Sequence, residues 1–156
     1  MIYACFAGTG KTSLATKSPV DFIDLESSDY QWTFNKDMDR EERKGTEEKE
    51  KNPDFPLNYI QDIREMDKYR NVLIACQPSV LKALAQANVN YTVVTPEAYL
   101  KEEYLDRYRE RENTQGFIDL MDRNFNDFVN DLKTNIHASA CITIKQKGIF
   151  LTNIFR

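Results

Sequence analysis

The chain has 156 residues, is 41% apolar and carries a net charge of −4, with nine Phe and eight Tyr. That length and composition suit one packed domain, and the acidic balance disfavours a non-specific nucleic-acid binder, which needs a basic face. No run of about 18 apolar residues occurs, so no membrane span is expected, and the three cysteines fit no metal motif.

The first apolar run, Ile2-Tyr3-Ala4-Cys5-Phe6, reads as a strand. It begins next to Met1 with neither a basic leader nor an apolar signal core, from which a cytoplasmic protein is expected. The run leads into Ala7-Gly8-Thr9-Gly10-Lys11-Thr12-Ser13 and then a helical pattern. Gly10, Lys11 and Thr12 match the end of G-x-x-x-x-G-K-[ST], while Cys5 stands where the first glycine belongs. Gly8 and Gly10 permit a backbone that turns successive N–H groups inward. The helix start adds its positive dipole end. Lys11 supplies a point charge for the outer phosphates, and Thr12 a hydroxyl for magnesium. Residues 7–13 therefore form a candidate site for a nucleoside triphosphate.

Val20–Leu25 reads as a second strand, entered at Pro19. Asp24, Glu26, Ser27, Ser28 and Asp29 follow at its end, where open parallel sheets bind ligands. One of Asp24 and Glu26 is a candidate for holding a magnesium-bound water, with Asp24 the metal candidate beside Thr12. The other is a candidate for accepting or orienting the proton of an attacking hydroxyl. The alternative is a helix cap in which Ser27 or Ser28 opens a helix and the acids favour its N-terminus. Residues 36–51 are charged at all but Met38, Gly45 and Thr46. They read as a solvated helical excursion or a mobile flap. An acceptor is expected between the second strand end and this excursion, with Ser27, Ser28, Asp29 and Trp32 as its contacts. Trp32 or Phe34 would stack on a base or serve as core.

Leu57, Ile60, Ile63 and Met66 share a helix face. Asn71–Cys76 reads as a central strand. It is followed by Gln77-Pro78 where many phosphate-loop proteins carry a magnesium-binding Asp. Ser79 is a candidate cap for the next helix. Tyr91–Val94 is a fourth strand, and Thr95-Pro96-Glu97 has the form of a helix start. The helix that follows holds Leu100, Tyr104, Leu105 and Tyr108, with Arg107 and Arg111 on one face. These arginines either close over a transferring phosphoryl group or pair with Glu103 and Glu110 on a wet surface. Asn113–Gly116 would be the hinge. A long apolar stripe from Phe117 to Ile136 marks the strongest helix, and Ala140–Ile144 a fifth strand. Lys145–Gly148 reads as a turn, Ile149–Phe155 as an apolar tail of open type, and the single His137 has no ligand or triad partner nearby. The three cysteines lie in apolar runs and are expected as buried thiols.

Five alternations of strand and helix imply an α/β domain spanning 1–156. It is expected as a three-layer α/β/α sandwich on a five-stranded parallel sheet, with the charged excursion at 30–56 and a lid-like segment at 98–116. The loop 4–12, the strand end 22–29 and the segment 102–113 together make the chain resemble small P-loop kinases of the nucleoside and nucleotide kinase superfamily. It is most similar to the short adenylate-kinase-like forms of phages and prophages of Gram-positive bacteria. The resemblance implies a P-loop NTPase fold of kinase type. It also implies Lys11 as the phosphate lysine, Thr12 as the metal hydroxyl, Glu26 as the second acid of a strand-end pair, and Arg107 and Arg111 as lid arginines. Cys5 and the missing acid after the third strand depart from the pattern. The expected activity is magnesium-dependent transfer of the γ-phosphoryl of ATP to a small acceptor, a nucleoside monophosphate or nucleoside. A nucleotide-binding regulatory or interaction module is the alternative, as is a kinase of DNA ends or modified bases. The sequence is silent on oligomeric state.

Overall fold

The computed structural model describes residues 1–33 and 50–156; Phe34 and most of the charged run at 36–51 lie outside them. Five strands, β1 (Ile2–Cys5), β2 (Phe22–Asp24), β5 (Asn71–Ala75), β6 (Thr92–Pro96) and β7 (Ala140–Ile144), form one sheet in the order β2-β5-β1-β6-β7. Every pairing in it is parallel. A separate two-stranded ribbon, β3 (Trp32–Thr33) with β4 (Glu50–Lys51), pairs Trp32 with Lys51 and flanks the undescribed residues. The helices are α1 (Lys11–Lys17), α2 (Ser28–Gln31), α3 (Leu57–Asp67), α4 (Pro78–Gln86), α5 (Lys101–Glu110), α6 (Gln115–Lys133) and α7 (Leu151–Ile154), with a 3-10 turn at Ala98–Leu100. The chain is thus α/β, with a five-stranded parallel sheet flanked by helices.

Continuous apolar runs make β1 and β5 central, because a strand covered on both faces has no side for polar residues. Ile2 to Cys5 and Val72 to Ile74 are buried throughout. From β1 the chain steps to β2 on one side, returns to β5, then crosses β1 to β6. Right-handed crossovers put α1 on one face and α3 and α4 on the other. Packing of α7 against α1 adds the C-terminal turn to the first face. There the ring of Phe155 meets Tyr3 at 4.8 Å and Phe22 at 5.4 Å. Helix α6 buries Ile118, Met121, Phe125, Val129 and Leu132. Its N-cap Thr114 accepts the Phe117 N–H (3.2 Å), so the expected hinge at Asn113–Gly116 is a capped helix start. Ile136, read as part of the stripe, lies beyond the helix end and is 88% exposed.

Two helix starts differ from the sequence reading. Gln77, not Ser79, is the N-cap of α4, with Pro78 at the first helical position. Pro96 ends a strand rather than opening a helix. It sits opposite Ile144, and the next residue, Glu97, donates its N–H to the Ile144 carbonyl (2.9 Å). A strand end tolerates the missing N–H of proline. Among the described residues no helix is long and apolar enough to cross a membrane.

Of the three thiols, Cys5 is buried, Cys76 half-buried and Cys141, on edge strand β7, exposed. Burial pushes the Cys5 thiol up to about 12 and Cys76 well above its usual value. Only thiolates alkylate quickly. Iodoacetamide at pH 8 is therefore expected to modify Cys141 alone in the folded protein and all three cysteines in urea, as read by peptide mass spectrometry.

Candidate functional site

Strand β1 ends at Cys5, held on both sides by Ala75 and Val94. The position that the motif gives to glycine is therefore ordinary strand here. The left-handed angles fall instead on Gly8 (φ +88°) and Gly10 (φ +97°). Both are closely backed. A Cβ on Gly8 would lie 3.0 Å from Tyr108 Cε1, and one on Gly10 3.2 Å from Phe150 Cδ1. Any side chain at either position is disfavoured by backbone angle and by space together.

Every carbonyl of the bend is engaged. Phe6 accepts from the Thr9 N–H (3.3 Å) and hydroxyl (2.9 Å). Ala7 accepts from the Tyr108 hydroxyl (2.8 Å), and Gly8 from Arg107 Nη1 (2.8 Å). Thr9 accepts from the Leu151 N–H (2.9 Å), and Gly10 from the Leu14 N–H (3.1 Å). In a trans peptide the N–H points opposite to its carbonyl. The bonds on Ala7 and Thr9 therefore aim the N–H groups of Gly8 and Gly10 the other way. Among the described residues, the N–H groups of Gly8, Gly10, Lys11, Thr12 and Ser13 have no hydrogen-bond partner. The last three are the unbonded donors of a helix start. Lys11 is half-buried and has no ion-pair or hydrogen-bond partner among those residues. The bend thus carries a row of amides and an ammonium group without partners among the described residues, chemistry suited to a polyphosphate.

The end of β2 closes one side. The Thr12 hydroxyl donates to Asp24 Oδ2 (2.8 Å), bringing together the two residues read as metal ligands. Asp24 Oδ1 is buried and has no hydrogen-bond partner among the described residues. Tyr59, from α3, donates its hydroxyl to the Leu25 carbonyl. Its phenol is pushed up first by burial and then by the charges of Glu26 and Asp24. The Tyr30 ring packs tilted against Tyr59, with centroids 4.8 Å apart. Ser27 caps α2 through its backbone alone, and Ser28 and Asp29 form the first turn of that helix. The cap geometry and the acids thus coexist at this strand end. Trp32 is half-buried in the ribbon. Among the described residues no group of three or more His, Cys, Asp or Glu is disposed to hold a metal. Magnesium carried on phosphates needs only one or two protein oxygens, and Thr12 with the unpartnered Asp24 oxygen fits that demand.

The lid expectation differs from the packing of 98–116. Leu100, Tyr104, Leu105 and Tyr108 are core residues, and Arg107 is only 6% exposed. Its Nη2 donates to the Ile149 carbonyl (3.0 Å) and to Glu103 Oε1 (3.3 Å). Its guanidinium lies 4.4 Å from the Tyr104 ring centroid and 3.8 Å from that of Phe150. In this structure Arg107 is a brace under the loop rather than an arm above it. Arg111 caps the exposed end of α5, close enough for its charge to oppose the burial that raises the Tyr108 phenol. Gly148 donates its N–H to Glu103 Oε1 (2.6 Å), so the 145–148 turn is tied to the same brace. His137 is exposed and apart from the site.

The sequence reading missed Tyr108, Phe150 and Leu151 as parts of the loop's support. Tyr104 and Tyr108 were legible as core, and a buried tyrosine needs a partner for its hydroxyl. Nothing local announced that the partner was Ala7, 101 residues away.

No family model matches the chain, and no curated protein does. Among solved structures it is similar to an uncharacterized protein from Eubacterium ventriosum. The identity is 14%, over 99% of this chain and 93% of that one, with a TM-score of 0.44.

Proposed function

We propose that the chain is an ATP-dependent phosphotransferase of the P-loop kinase type, moving a γ-phosphoryl group to a nucleoside monophosphate or nucleoside. One observation carries this reading. The bend turns five carbonyls, Phe6 to Gly10, onto six donors and leaves the amides of Gly8, Gly10, Lys11, Thr12 and Ser13 without a partner among the described residues. That arrangement is suited to oxyanions.

In this reading the amides of Gly8 and of residues 10–13, with the Lys11 ammonium group, hold the triphosphate. The Thr12 hydroxyl and Asp24 are the groups that would hold magnesium, which supplies charge neutralisation on the phosphates. Glu26 accepts or orients the proton of an acceptor hydroxyl as that oxygen bonds to the γ-phosphorus and ADP leaves. The acceptor lies toward α2 and Trp32, alongside Tyr59. Gln77, not an acid, follows β5, and Arg107 is committed to the brace. Those two facts favour the second reading, a nucleotide-binding module without transfer.

Incubation with γ-labelled ATP, magnesium and a panel of nucleosides and nucleoside monophosphates separates the two. Label in any acceptor is the expected result. ATP binding with no labelled product supports the module, and absence of binding removes both readings.

A further inference from the structure

We propose that the Tyr108 hydroxyl is a positioning group that aims the Gly8 amide at the phosphate chain. The inference rests on the reading of the bend as a phosphate site. The Ala7–Gly8 peptide lies between a half-buried alanine and a glycine at φ +88°, a residue with no Cβ to resist rotation. If that peptide turned over, the Ala7 carbonyl would face the ligand and repel an oxyanion. Among the described residues, the side-chain hydrogen bond that opposes the turn is the one from Tyr108 Oη to the Ala7 carbonyl (2.8 Å). The Tyr108 ring does separate work. It packs edge-on against Phe117 at 5.1 Å and lies under Gly8. Phenylalanine keeps that packing and deletes only the oxygen.

The neighbouring peptides have other anchors, which makes the assignment specific. The Leu151 N–H holds the Thr9 carbonyl and so aims Gly10. Arg107 holds the Gly8 carbonyl, but the N–H of that peptide, on Thr9, turns back to the Phe6 carbonyl (3.3 Å) rather than toward the ligand. Arg107 therefore stabilises the bend without aiming a free amide, while Tyr108 aims one.

The test uses the full chain labelled with 15N-glycine, of which it has five, titrated with ATP and with inorganic tripolyphosphate. In the wild type the Gly8 and Gly10 amide protons are expected to move downfield with either ligand. In Tyr108→Phe the Gly8 shift is expected to vanish and the Gly10 shift to remain. Tripolyphosphate affinity should fall by roughly 3- to 10-fold, the effect of one hydrogen bond. In Arg107→Lys the melting temperature is expected to drop while the Gly8 shift persists, a result that loosening of the fold alone would not separate. An intact Gly8 shift with unchanged affinity in Tyr108→Phe overturns the proposal, as does loss of the Gly8 shift in Arg107→Lys. A wild-type protein whose glycine amides respond to neither ligand overturns instead the phosphate reading of the bend.

Discussion

Lys11→Ala is expected to lower phosphotransfer by roughly 10²- to 10³-fold, the loss typical when one preorganised donor to a developing charge is removed. The same change should leave the melting temperature within about 2 °C. The two halves of this expectation have one cause. Lys11 has no hydrogen-bond or ion-pair partner among the described residues, so the fold does not depend on it. Substitution of a half-buried side chain without such partners is expected to shift stability by about 0.5 kcal/mol, which is about 1–2 °C for a domain of this size. Turnover with γ-labelled ATP and a thermal melt on the same sample check both halves. Retained turnover would remove the lysine from the chemistry, and with it the kinase reading of the loop.

Arg107→Ala is expected to show the reverse emphasis, a large loss of stability. The side chain is enclosed between two aromatic rings, and its departure strips a donor from the Gly8 and Ile149 carbonyls and the partner from the Glu103 carboxylate. Breaking such a pair by deleting one member costs about 3 kcal/mol or more. For a domain of this length that is a fall in melting temperature of roughly 6–12 °C. An unshifted melting curve would mean that the guanidinium is not held in place, and that the mobile lid anticipated from its position between Glu103 and Arg111 is the better description.

Much of the fold was legible because its signals are local. The apolar runs of β1 and β5, the stripe of α6 and the glycine-lysine-threonine turn each declare themselves within a window of about fifteen residues. Thr12 and Asp24 were also legible as a pair, since the sheet rule brings the end of the second strand beside the first loop. Illegible parts depend on distant partners. Proline at 96 resembled a helix opener because nothing nearby shows that Ile144 lies opposite it. Arg107 looked solvent-exposed among Glu103, Asp106 and Glu110. Only the approach of Gly8, Ile149 and Phe150, all far along the chain, makes its place an interior one. The tail at 149–155 carried apolar residues without a period and became the short turn α7, whose first amide bonds Thr9.

That last bond makes the shape of the bend a long-range property of the chain. Residues 7–10 are shaped by the amide at 151 and the ring at 150, some 140 positions further along the sequence. In the phosphate-site reading proposed above, a chain that carries the Gly-Lys-Thr signature would gain its ligand-ready shape only once those distant contacts have formed.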